Sequence, residues 1–191
     1  MTTPSDVVSF WLNEVGEQGW YKSDPAMDDE IRSRFGAVVE AGAAGELTHW
    51  TTDPEGVLAY LIVTDQFPRN IYRGSSLSFS SDTLALKAAK CALSKEWDLR
   101  ISGPERQFFY LPLMHSENLC DQDRCVRLML TRMPGAESNI LHARAHREVI
   151  RTFGRFPYRN EALDRVSRPA ELDYMQSGGY GRTLETLRVA A

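Results

Sequence analysis

Two short segments repeat an order of residue types that suits a negatively charged ligand. Asp65-Gln66-Phe67-Pro68-Arg69-Asn70 and Arg155-Phe156-Pro157-Tyr158-Arg159-Asn160 each set a Phe before a proline, then an Arg and an Asn. A guanidinium offers a fork of donors matched to carboxylate or phosphate, and an amide adds a further donor. If the two segments meet, Asp65, Gln66, Arg69, Asn70, Arg155, Arg159 and Asn160 line a polar pocket for a small anion. An architectural account competes: Pro cannot extend a helix, Phe plugs the core, and Arg and Asn reach the unpaired carbonyls of the last turn. Asp65 strains that account, because it lies three and four residues after Ile62 and Leu61, on the apolar face. A buried carboxylate there demands a partner such as Arg69 or Arg159.

The histidines extend the pocket reading. His146 falls within the arc of Val149, Ile150 and Phe153 and therefore faces the core, where a hydrogen-bonded structural role is the simpler account. His142-x-x-x-His146 has the spacing of paired metal ligands, but Ala143 stands where a zinc-protease helix carries Glu, and no metal is assigned. His115-Ser116-Glu117 follows the apolar run from Phe108 to Met114. Either Ser116 caps a helix with Glu117 at the positive end of its dipole, or His115 and Glu117 form a proton-transfer pair. His115, Glu117 and His146 are thus the candidate catalytic residues of a hydrolase or transferase. No Gly-rich phosphate loop, Gly-x-Ser-x-Gly elbow or Cys-His nucleophile signature accompanies them, so neither a nucleophile nor a cofactor is assigned.

Helical periodicity positions these residues, and no segment alternates apolar and polar residues over strand length. The first helix is expected over 5–15, capped by Ser5. Further helices are expected over 27–41, over 53–65 with Asp53 as cap and Pro54 at the first position, and over 81–95. Pro68 is expected to end the third of these. A short piece over 104–111 stops at Pro112; longer helices follow from the Ser116 cap to Arg132 and over 136–153, then a weaker one over 169–176. Ser177-Gly178-Gly179 opens a tail, 177–191, expected to be poorly ordered. Such helices joined by short turns must bury their stripes pairwise, as stacked helical hairpins in a single all-α domain over 1–176.

Composition bounds the partners. The 191 residues carry 22 Lys and Arg against 26 Asp and Glu, a net charge of −4. Residues 1–66 hold 12 acids and three bases, whereas residues 124–168 hold ten Arg and four acids. The basic segment is offset by the acidic one and no recognition motif stands beside it, so nucleic acid is not an expected partner. The longest apolar run, Val57 to Val63, has seven residues; a membrane span needs about 20, and no membrane partner is expected. Cys91, Cys120 and Cys125 form an odd set without a C-x-x-C spacing, which suits a reducing compartment and makes the cytoplasm the expected location.

Asp65-Gln-Phe-Pro-Arg-Asn70, Arg73-Gly74, Phe79, Asp82, His115-Ser-Glu117, His146 and Phe153-Gly-Arg-Phe-Pro-Tyr-Arg-Asn160, in this order, resemble the bacterial family called domain of unknown function 924, over nearly the whole chain. The resemblance implies an all-helical fold of the tetratricopeptide-like kind, an α–α superhelix, and brings no established activity. The chain departs from the family pattern at Leu163-Asp164-Arg165, where Leu-Gly-Arg is usual. The leading expectation is a pocket for a small anionic molecule, a carboxylate or phosphate, with His115 and His146 as further donors. An acid–base enzyme and a helical scaffold that clamps a peptide carboxylate are the alternatives.

Overall fold

The computed structural model describes residues 2–189, all of them helix, turn or loop with no strand among them. Ten α-helices run in order: α1 (Pro4–Ser9), α2 (Pro25–Ala43), α3 (Pro54–Leu61), α4 (Phe67–Ile71), α5 (Asp82–Ser94), α6 (Leu111–Met114), α7 (Leu119–Arg132), α8 (Glu137–Phe153), α9 (Pro169–Gln176) and α10 (Gly179–Val189). The chain divides into two compact units, one ending at Pro112 and the other beginning at Leu113. The all-α expectation holds.

In the N-terminal unit α1 packs on α3, α2 on α4, and α3 on α5. Several rings meet at its centre: Phe67, fully buried, lies 5.4 Å from Trp11, 5.1 Å from Phe35 and 6.1 Å from Phe10. Aromatic pairs at these separations add to the stabilisation from burial itself. The first helix starts one cap earlier than the sequence indicates, because Thr3 and Asp6 form a reciprocal capping box and Ser5 lies inside the first turn. Asn118 rather than Ser116 caps α7, accepting from the Cys120 amide at 2.9 Å. Pro112 lies within the short α6 instead of ending a helix.

Pro68 also fails to end its helix. The chain leaves α3 through a π-helical turn, Ile62–Gln66, in which the Phe67 amide bonds to the Ile62 carbonyl five residues back, and continues into α4. A proline in a regular helix leaves the carbonyl four residues earlier without a donor. Here that carbonyl belongs to Thr64, and the buried Ser81 hydroxyl donates to it at 2.6 Å. The wide turn and a side chain from the start of α5 together absorb what would otherwise break the helix.

In the C-terminal unit α7 and α8 form a hairpin, and α10 packs on α8 and α9. The expected loose tail is instead the helix α10. Tyr180, Thr183, Leu184 and Leu187 recur at helical spacing on its less exposed side, and that stripe, rather than the two glycines before it, decides the local structure. Asp164 takes a left-handed backbone conformation with φ 51°, which glycine adopts at least cost. The departure from Leu-Gly-Arg therefore falls at a position where the turn itself asks for a glycine-like backbone.

Replacing Ser81 with Ala removes the buried hydroxyl that donates to the Thr64 carbonyl at 2.6 Å and should cost about 1–3 kcal/mol in chemical denaturation. The exposed neighbour Ser80→Ala should stay within about 0.5 kcal/mol of wild type.

Candidate functional site

Both Phe-Pro segments are anchored in the same way, each within its own unit. In the N-terminal unit Asn70 donates to Asp28 Oδ1 at 2.9 Å, and Arg73 grips the same buried carboxylate through Nε at 2.5 Å and Nη2 at 3.0 Å. Burial opposes ionisation of Asp28, but the bonds from Arg73 and Asn70 outweigh it and hold the carboxyl below its ordinary range. In the C-terminal unit Asn160 donates to Glu171 Oε2 at 3.2 Å, while Arg155 Nε and Nη2 each reach that carboxylate at 2.7 Å and the Arg168 amide adds a third donor, also at 2.7 Å. Glu171 is 1% exposed, and the Arg155 bonds hold its carboxyl down to about 2.

The other predicted residues are placed as follows. Arg69 bonds Asp82 at 2.7 Å and lies over the Phe79 ring at 4.6 Å; its Nη1 is buried with no partner among the described residues. Asp65 is buried and accepts from Gln66 Nε2 at 2.6 Å. Glu117 takes both its oxygens to Arg165 Nη1, at 2.8 and 2.9 Å, and also receives the Phe156 amide at 2.9 Å. The capping account assigned Arg and Asn to the carbonyls ending their own helices; Asn70 and Asn160 instead hold carboxylates from other helices, and the α4 carbonyl of Ile71 is taken by Arg32 at 2.7 Å.

His146 and Arg159 meet at one ring, Phe156, and His115 lies beside His146. The Arg159 guanidinium lies over the Phe156 ring at 4.4 Å, the His146 imidazole meets it edge-on at 5.4 Å, and His115 is 6.3 Å from His146, centroid to centroid. Arg159 Nη1 donates to the His115 carbonyl at 3.1 Å, which fixes the loop carrying that histidine. Desolvation pushes the His146 pKa down to about 3, reinforced by the positive fields of His115, Arg159 and His142. Yet the residue is only half-buried, so solvent still reaches part of it.

Two contributors escaped the sequence reading. Tyr180 places its hydroxyl 2.8 Å from His142 Nδ1 and 2.9 Å from His146 Nδ1. Its signal was the apolar stripe of α10, hidden behind Gly178-Gly179. Gln122, fully buried, donates from Nε2 to the carbonyls of Leu113, Met114 and Ser116, the turn that presents His115. It precedes the buried Cys125, Val126 and Met129 by three, four and seven residues, a polar residue on an apolar stripe. Among the described residues no three His, Cys, Asp or Glu side chains are grouped to hold a metal ion. The His142–His146 spacing serves the shared Tyr180 hydroxyl.

The description "bacterial protein of unknown function (DUF924)" matches residues 7–179, most of the chain. The chain belongs to the DUF924 family. It is similar to the protein of unknown function ATU0120 from Agrobacterium tumefaciens, with 36% identity over 91% of this chain and 97% of that one, and a TM-score of 0.85. No curated protein matches. Family membership thus supplies the fold of this DUF924 chain and no activity, and its chemistry has to be argued from side chains.

Two measurements check the electrostatics. Because the folded pKa of His146 lies below the value near 6.5 of an unfolded histidine, the unfolded chain binds the extra proton first, and this residue's contribution to stability falls as pH drops from about 6.5 towards 3. Its imidazole carbon–proton resonances should stay at neutral-ring positions from pH 8 down to pH 5. Glu171 works at lower pH: its depressed pKa adds stability that is complete above about 4.5 and lost as pH falls towards 2. Glu171→Ala, which strands Arg155, should cost about 3–5 kcal/mol at neutral pH in denaturant melts.

Proposed function

We propose that this protein binds a small anion, a phosphate or carboxylate, at the Phe156 ring of the C-terminal unit, with Arg159, His115 and His146 as its contacts. The observation that carries the reading is the gathering of cationic or cation-capable groups, Arg159, His115 and His142, near an imidazole that burial first and their positive fields second hold in its neutral form, beside the Phe156 ring on which Arg159 lies at 4.4 Å. Such a field attracts negative charge, and a guanidinium already held by a carbonyl and an aromatic face loses little freedom on meeting an oxyanion. Arg155, Asn70 and Asn160 drop out as contacts in this reading, since their donors hold Asp28 and Glu171. Glu117, held by Arg165 and the Phe156 amide, becomes a support of the loop.

An acid–base enzyme finds less support in the unliganded site. A general base works best with a pKa near the operating pH, and an imidazole with a pKa of about 3 takes up protons poorly at neutral pH. No described helix is long and apolar enough to cross a membrane. Cys91, Cys120 and Cys125 form no disulfide, which fits the reducing cytoplasm we assign to the protein.

The test is calorimetric and thermal-shift titration with inorganic phosphate and short carboxylates. Wild type should bind at least one of them and melt several degrees higher at saturation. Arg159→Lys, which keeps the charge and removes the fork, should weaken that binding about tenfold or more. Absence of binding by wild type up to millimolar concentrations overturns the reading.

A further inference from the structure

A cavity of about 320 Å³, open to solvent, lies in the C-terminal unit and shares no lining residue with the Phe156 site. Its wall is Glu148 of α8, Tyr174 of α9, Ser177 in the turn that follows, and Arg182, Thr183, Thr186 and Leu187 of α10. Spacings of one and four residues put the α10 group on one side of its helix. The volume is at the small end for a ligand pocket. The wall is mostly apolar, and Tyr174 is fixed in it at both ends: its ring centroid lies 4.9 Å from that of Phe153, and its hydroxyl meets Thr183 Oγ1 at 3.0 Å.

The other hydroxyls bond to their own backbone, Thr186 donating to the Arg182 carbonyl at 2.9 Å and Ser177 to the Asp173 carbonyl. Two charges are left over. The exposed Arg182 guanidinium makes no hydrogen bond or ion pair among the described residues. The Glu148 carboxylate pairs there with Arg151 alone, at 3.7 Å and with both side chains exposed, an arrangement that contributes little. Glu148 and Arg182 thus line one cavity without pairing with each other. A plain carboxylate would satisfy Arg182 and set a second negative charge beside Glu148; a plain amine would do the reverse. A zwitterion satisfies both, its carboxylate meeting the guanidinium fork and its ammonium the glutamate, while an apolar side chain covers Tyr174 and Leu187. We infer that this cavity binds a free amino acid with a large apolar side chain, of the phenylalanine or leucine kind. The site uses neither Arg159 nor His146 and stands independently of the anion site.

Three ligands with one phenyl body provide the test. L-phenylalanine carries both charges, 3-phenylpropionate only the carboxylate and phenethylamine only the ammonium. Calorimetric titration of the intact protein at neutral pH should show L-phenylalanine binding at least about tenfold tighter than either analogue, the loss expected when one charged hydrogen bond is removed. Its addition should move the methyl resonances of Thr183, Thr186 and Leu187, a readout on wild type that needs no variant. Arg182→Gln and Glu148→Gln change side chains with no strong partner and should melt as wild type does. Arg182→Gln should weaken L-phenylalanine about tenfold without weakening phenethylamine, and Glu148→Gln should weaken it similarly without weakening 3-phenylpropionate. Absence of L-phenylalanine binding up to millimolar concentrations, or equal affinity for all three ligands, overturns the inference. So does binding that Arg182→Gln leaves intact and Arg159→Lys abolishes, which belongs to the Phe156 site.

Discussion

A carboxylate placed where water does not reach must be matched by donors in fixed positions, and each half of this protein is organised around one such group. Asp28 in α2 and Glu171 in α9 are buried, and each is held by the asparagine amide that ends a Phe-Pro segment and by a two-pronged arginine, Arg73 just after the first segment and Arg155 at the start of the second. Removing any partner would strand a charge in a low-dielectric interior. That penalty fixes the backbone of each segment, and the backbone in turn sets the aromatic plug: Phe67 enters the ring cluster of the first unit, and Phe156 becomes the platform for Arg159 and His146. Of the repeated residue types, the asparagine that ends each string has the same use in both, donating to the buried carboxylate, while the arginine before it does not: Arg69 bonds Asp82 and Arg159 the His115 carbonyl.

Much of this was legible in the sequence, and the failures have physical causes. The α9 bounds, the Asp53 cap and the inward face of His146 followed from periodicity and capping chemistry, which are local. Pro68 misled because the rule against proline in helices assumes a regular ladder; the π turn changes the ladder, and Ser81, thirteen residues downstream, supplies the donor that the rule counts as lost. The tail misled because Gly178-Gly179 breaks a helix on propensity, while the stripe from Tyr180 to Leu187 forms one by packing on α8.

For the candidate site the residue types were legible and their partners were not. Arg155, Asn70 and Asn160 look like ligand donors in sequence because anion binding and carboxylate anchoring draw on the same fork and amide chemistry. Only knowledge of which carboxylate each one faces separates the two uses, and Asp28 and Glu171 lie 42 and 11 residues from the asparagines they hold. His115 and His146 drew attention by type, yet nothing local foretold that a tyrosine from the last helix would bond His146 or that Gln122 would hold the turn beside His115.

The family match ends at Gly179, one residue short of Tyr180. The two imidazoles that share its hydroxyl lie inside the matched region, and the group they share lies just beyond it. In this chain the terminal helix therefore ties the two imidazoles together: one phenol from α10 lies within hydrogen-bond distance of both rings, so any change in how α10 seats on α8 reaches both histidines at once.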